Sequence, residues 1–89
     1  MAFTFDPEKN ARNMAERGLS FELVEQLEWH TALVKEDRRR DYGETRLQVW
    51  AVLDDRLYVA VVTPRGEDLR VISFRRANKR EEKIYGQKD

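Results

Sequence analysis

Apolar and polar positions along the chain fall into short blocks with two distinct periods. Phe3-Thr4-Phe5 alternates and predicts a short strand. Asp6 then supplies an N-cap oxygen and Pro7 fits the first helical position, where no N–H is needed, so a helix is expected to run to about Arg17. Gly18 can take the left-handed conformation that ends it. Ser20 caps a second helix, whose apolar residues Leu23, Val24 and Leu27 lie at helical spacing, and the two helices are joined by a tight turn.

From Thr31 the period changes to two. Ala32 to Val34 read as a strand and Glu36 to Asp41 as a charged loop. Residues 45–53 alternate, with Leu47, Val49, Ala51 and Leu53 on one face and Arg46, Gln48 and Trp50 on the other. Residues 56–63 are apolar on both faces, as a central strand is. Asp54-Asp55 and Pro64-Arg65-Gly66 stand where hairpin turns are needed, Pro64 presetting the first turn position and Gly66 accepting positive φ. The next strand, about Asp68 to Phe74, therefore returns antiparallel. Asn78, with Glu81 three residues on, forms a capping box for a last short helix through Lys83, Ile84 and Tyr85 that stops at Gly86. The expected fold is α+β, in the order β-α-α-β-β-β-β-α, an antiparallel meander with its helices gathered on one side. Polar residues on the uncovered face, such as Arg46, Gln48 and Arg70, then become candidates for contact.

Composition narrows the class. A chain of 89 residues, 40% apolar and 38% charged, predicts a single domain spanning residues 1–89. Without cysteine it can use no disulfide, no thiolate nucleophile and no Cys-ligated zinc. The apolar runs are too short for a membrane span, and Met-Ala-Phe-Thr-Phe-Asp lacks the basic and apolar regions of a signal peptide, so a cytoplasmic location without membrane partners is expected. The 17 basic and 17 acidic side chains balance, which argues against a generic polyanion binder, but their distribution is uneven. Residues 1–36 hold four basic and seven acidic groups, whereas residues 69–89 hold seven and three. The basic surplus lies towards the C-terminal end.

Four strings, in order and covering nearly the whole chain, carry a resemblance: Phe5-Asp6-Pro7-Glu8-Lys9-Asn10, Gly18-Leu19-Ser20-Phe21-Glu22, Arg39-Arg40-Asp41-Tyr42-Gly43-Glu44-Thr45-Arg46, and the segment from Arg70 to Glu81. Together they resemble the BrnT family of bacterial toxins. The resemblance implies the toxin half of a type II toxin–antitoxin pair with a RelE/ParE-like fold and a ribonuclease activity that halts translation. It also implies a ribbon-helix-helix antitoxin of the BrnA type, joined with the toxin in a heterotetramer that binds operator DNA through the antitoxin. One departure stands out. Family members commonly carry Lys-His-Gly at the end of the first helix, where this chain has Glu16-Arg17-Gly18, so any proton transfer by that histidine would need a substitute here.

RNA cleavage without a metal or cofactor needs a base for the 2′-hydroxyl, cations for the charged phosphorane and an acid for the leaving oxygen. His30, the sole histidine, reads better as a helix-end or packing residue than as the base. Two segments concentrate the remaining types. In the first, Gly43 permits a sharp turn that projects Tyr42, Glu44 and Arg46 towards one point; Glu44 is the candidate base, and the plainer reading is a surface salt bridge to Arg46 or Arg39. In the second, Arg70, Arg75, Arg76, Lys79 and Arg80 place five cations in eleven residues with no acid among them. Such a cluster repels itself unless an anion is near, and guanidinium forks hold phosphate well. The expected catalytic set is Glu44, Arg46, Tyr42, Arg70 and Arg75, with Arg39, Arg76, Lys79 and Arg80 binding RNA. Trp50 and Phe74 read as core, and Arg38-Arg39-Arg40 as a solvated loop or an RNA-tracking one. Two other readings stay open: a non-catalytic module that docks an acidic partner, and a ParE-like toxin with a target other than RNA.

Overall fold

The computed structural model describes residues 2–87. Strand β1 (Phe3–Phe5) leads into helix α1 (Pro7–Arg17), and two short 3-10 helices follow at Phe21–Gln26 and Trp29–Thr31. Strands β2 (Leu33–Glu36), β3 (Leu47–Leu53), β4 (Arg56–Arg65) and β5 (Asp68–Arg76) then form one sheet, and helix α2 (Lys79–Gly86) comes last. The sheet order is β1-β5-β4-β3-β2.

Local signals act where they were expected. The Asp6 side chain accepts from the Glu8 N–H, Pro7 opens α1, and Gly18 closes it at φ 69° with its N–H donated to the Met14 carbonyl. Asp54 and Asp55 make the β3–β4 turn with φ of 51° and 64°. Two consecutive positive φ values suit the right-handed twist of a two-residue hairpin, and aspartate is among the few non-glycine residues that tolerate them.

Four features depart from the sequence reading. The second helix is a 3-10 helix, because its buried residues Phe21, Val24 and Leu27 recur every three positions, which matches three residues per turn. The sheet is not purely antiparallel: β1 pairs parallel with β5, Phe3 against Leu69 and Phe5 against Val71. Pro64 lies in β4 opposite Leu69, and the turn is made by Gly66 and Glu67. Proline is tolerated there because its missing N–H falls on the β3 side, where pairing has already ended at Leu47–Val62. Finally, Gly86 belongs to α2, and Gln87 caps it with its N–H on the Ile84 and Tyr85 carbonyls.

The helices occupy both sides of the sheet. On one face Val49, Ala51, Ala60, Val62, Val71 and Phe74 form the main core with Phe21, Val24 and Leu27. On the other, α2 covers only one end, packing Tyr85 against the Trp50, Leu57 and Val59 cluster. The Tyr85 hydroxyl donates to the Thr31 carbonyl at 2.8 Å and ties α2 down. No helix among the described residues is long and apolar enough to cross a membrane.

Candidate functional site

The strand register defines the face that α2 leaves open. Trp50, Val59 and Arg75 form one cross-strand row, Gln48, Val61 and Ser73 the next, and Thr63 with Arg70 a third. An extra residue in β5 at the Val61/Val62 irregularity keeps Arg70 on the same face as Ser73 and Arg75 although the spacing changes. Arg46 immediately precedes β3; its carbonyl accepts the Asp37 N–H at 2.7 Å, and strand alternation puts its side chain opposite core-facing Leu47. Arg46 and Arg70 thus flank Thr63 two strand spacings apart, roughly 10 Å between backbones. Buried Thr63 donates to the Thr45 carbonyl at 2.6 Å and fixes the loop that carries Glu44.

That loop is a chain of contacts. The Arg39 guanidinium donates twice to Asp37, both bonds at 2.8 Å, and the Tyr42 hydroxyl donates to Asp37 Oδ2 at 3.3 Å. The Tyr42 ring lies 4.1 Å beneath the Arg46 guanidinium. Glu44 accepts from Arg46 at 3.3 Å through one oxygen and from Arg65 at 3.2 Å through the other. Gly43 bends the loop at φ 71°, with the Asp41 side chain accepting its N–H. Tyr42, Glu44 and Arg46 therefore do converge.

Arg75 belongs to a second centre at the start of α2. It donates bidentately to Glu81, both bonds at 2.8 Å. Glu81 also accepts the Asn78 N–H at 2.9 Å while Asn78 accepts the Glu81 N–H at 2.8 Å. The capping box thereby satisfies the Asn78 and Glu81 N–H groups, two of the donors that the start of a helix leaves without an intrahelical partner. Beside it lies a small cleft of about 150 Å³ lined by Lys35, Trp50, Arg80 and Glu81 among others. The Lys35 ammonium sits 4.5 Å over the Trp50 ring, and Trp50 Nε1 donates to Gln48 at 3.1 Å. Arg76, the residue after Arg75, pairs with Tyr58 and lies on the sheet face opposite to that of Arg75. Lys79 and Arg80 are exposed on the first turn of α2.

Sequence reasoning passed over Asp37, Lys35, Arg65 and Glu81. Asp37 was part of a charged loop, yet it is only 5% exposed. The Arg39 bonds hold its carboxyl down at about 2 from 3.8, against the opposing effect of burial and with help from the Tyr42 hydroxyl. Because the folded value is the depressed one, ionised Asp37 stabilises the fold above about 4 and loses that contribution as pH falls towards about 2. Asp37→Asn is therefore expected to lower the melting temperature at neutral pH, with the gap to wild type closing in acid; a gap independent of pH would exclude the assigned pairing. Glu81 is likewise pulled down by the Arg75 bonds, against burial and with the Asn78 amide assisting. Arg75 is pushed up by the same bonds, opposed by burial and by the like charge of Arg39. The two centres thus feel one another.

Another hollow, of about 630 Å³, is bordered by Phe3, Phe5, Glu22 and Glu25, whose charge is of the wrong sign for phosphate. His30 is exposed in the second 3-10 helix. Among the described residues no three His, Asp or Glu side chains come together as a metal site requires.

The profile of the family described as ribonuclease toxin, BrnT, of type II toxin-antitoxin system matches residues 5–81. The crystal structure of the Brucella abortus ribonuclease toxin BrnT, determined at 1.1 Å, superposes with a TM-score of 0.73 at 27% identity, over 89% of this chain and 99% of that one. No curated protein sequence matches.

Proposed function

The chain belongs to the BrnT family of type II toxin–antitoxin ribonucleases, and from that premise we propose that the open sheet face cleaves RNA without a metal. The observation that carries this reading is the joining of Tyr42, Glu44 and Arg46 in one contact chain, with Arg70 across Thr63, on the part of the sheet face that α2 leaves open. Each Glu44 oxygen accepts one guanidinium bond, and a carboxylate oxygen has two lone-pair directions, so the group can still accept a ribose 2′-hydroxyl proton. The freed 2′-oxygen attacks the adjacent phosphorus, the bond from phosphorus to the 5′-oxygen breaks, and the leaving 5′-oxygen takes a proton from water, giving a cyclic 2′,3′-phosphate and a 5′-hydroxyl end. Arg46 and Arg70, on either side of Thr63, neutralise the charge that builds on the phosphorane, a stabilisation that needs no reorganisation because Arg46 is already clamped. Tyr42 is a positioning residue: its ring supports Arg46 and its hydroxyl is turned to Asp37.

Arg75 with Arg39, Lys79 and Arg80 binds the flanking backbone at the α2 end, about four residues along the strands from Arg46, or roughly 13 Å. Arg75→Ala is expected to weaken substrate binding about tenfold, by loss of a bidentate phosphate donor, while Arg76→Ala leaves cleavage within about twofold. Equal losses in the two variants would contradict the alternation read from the sheet.

The family implies an RNA substrate and an antitoxin partner. We take that partner to be a ribbon-helix-helix protein of the BrnA type, in a cytoplasmic heterotetramer that holds operator DNA. Purified protein should degrade RNA in the presence of EDTA, leaving cyclic 2′,3′-phosphate ends, and its induction should arrest growth and translation. Intact RNA under both conditions would sink the reading. One observation favours a second, non-catalytic reading: Asp37, Glu44 and Glu81 all hold guanidinium groups already and none stands unpaired to act as a base, while Lys79 and Arg80 stay exposed to an acidic protein. Tight complex formation with unimpaired growth would decide for it.

A further inference from the structure

A second basic surface lies around the corner from the open face. Beyond Val71, strand β5 has no strand on its outer side, because β1 pairs with it only as far as Phe5–Val71. There α1 borders a depression of about 190 Å³, whose lining includes Lys9, Arg12 and Arg17 on the helix and Ser73 on the strand. The cations fall at i, i+3 and i+8 and so share a side of α1. All three are exposed, and none makes an ion pair among the described residues, unlike Arg38, Arg39, Arg46, Arg65 and Arg75. Glu8 and Glu16, on the same helix, do not reach them. Three unpaired cations around one hollow repel each other until an anion enters.

The hollow is also shaped in advance. Arg17 donates to Asn13 Oδ1 at 3.0 Å, and Asn13, only 6% exposed, is anchored through its amide nitrogen to the Leu19 and Phe74 carbonyls. The Arg17 fork is therefore held in place before any ligand arrives. Ser73 connects the two regions: it stands in the row of Gln48 and Val61 on the open face and also lines this depression.

We propose that Lys9, Arg12 and Arg17 form a subsite for a backbone phosphate of single-stranded RNA that leaves the open face across the β5 edge at Ser73. This rests on the ribonuclease reading of that face and extends it, since it gives the substrate a direction and a minimum length. The subsite reads no base. Its contribution grows with RNA length and falls with salt, as counterion release dictates.

The test uses uncleavable 2′-O-methyl oligoribonucleotides of about four and about twelve nucleotides, lengths that bracket the reach of a small single-strand site. Wild type should bind the longer one about tenfold more tightly, and Lys9→Ala/Arg12→Ala should lose most of that gain while binding the shorter one like wild type. The slope of log affinity against log salt for the longer RNA should fall by about 0.7 for each cation removed. Both residues are exposed and make no contact that folding needs, and the melting temperature of the variant checks this. Unchanged affinity and slope in the folded variant would overturn the subsite. So would an equal loss for both lengths, which puts the cations at the reaction centre, or loss of an acidic protein partner with RNA binding retained. Cleavage of unmethylated RNA by wild type is scored separately, so failure of the ribonuclease reading shows there and not in these affinities.

Discussion

Glu44→Gln is expected to slow RNA cleavage by roughly 100- to 10,000-fold, the range a positioned general base supplies, with KM nearly unchanged. Glutamine keeps the shape of the side chain and one acceptor oxygen for Arg46 or Arg65, but it cannot take a proton. It turns its amide nitrogen towards the other arginine and so weakens one of the two ion pairs. Those pairs are partly exposed and contribute at most about 1 kcal/mol each, so the melting temperature should move by only a few degrees. A loss of turnover in a folded protein that still binds RNA separates a base from a structural carboxylate. The control is Arg65→Ala, which also breaks a Glu44 bond but removes no proton acceptor, and it should cost far less. Cleavage by Glu44→Gln at the wild-type rate would end the assignment, and Glu81, hydrogen-bonded to Arg75 at the α2 end, would be the next carboxylate to examine.

What could be read in the sequence was local. Asp6-Pro7, Gly18 and the Asn78/Glu81 box act within a few residues of themselves, and each forms the cap its chemistry dictates. Face assignment along β3 also follows from alternation alone, since Val49 and Ala51 pack in the main core while Trp50 meets α2. Pairings made at long range left no such mark. Nothing near Phe3 announces a parallel partner at Leu69, and the helix that covers Trp50 lies some thirty residues downstream. The same limit explains the site. Five cations from Arg70 to Arg80 stood without an acid only because the count ended one residue short of Glu81, whose capping role uses part of its carboxylate and leaves the rest for Arg75. Asp37 was lost among charges of both signs because its burial comes from a fold-back of Arg39 and Tyr42, which spacing does not display. Arg75 and Arg76 were grouped as neighbours in sequence, although strand geometry separates neighbours by a full sheet thickness.

The second large effect is on stability. Asn13→Leu is expected to destabilise the fold by about 2–4 kcal/mol, because it takes the donor from two carbonyls at a position only 6% exposed. Asn13 is the buried polar side chain of α1, and its amide nitrogen donates to the Leu19 carbonyl at 2.9 Å and to the Phe74 carbonyl at 3.0 Å. One residue thus satisfies both the segment leaving α1 and the outer edge of β5, and it does so where the sheet has no further strand to supply N–H groups. Leucine fills the volume and makes none of these bonds. Asn13→Asp is the sharper variant: at neutral pH it presents a carboxylate to two carbonyl oxygens, and the ion pair it gains with Arg17 does not relieve that repulsion. Aspartate at this position should therefore be at least as damaging as leucine at pH 7 and recover part of the loss in acid, where a protonated carboxyl can donate to one carbonyl. Denaturant unfolding of the three proteins at two pH values measures this directly. Should Asn13→Leu match wild type, the two carbonyls must be hydrated from the depression between α1 and β5, and the Asn13 bonds would add nothing to stability.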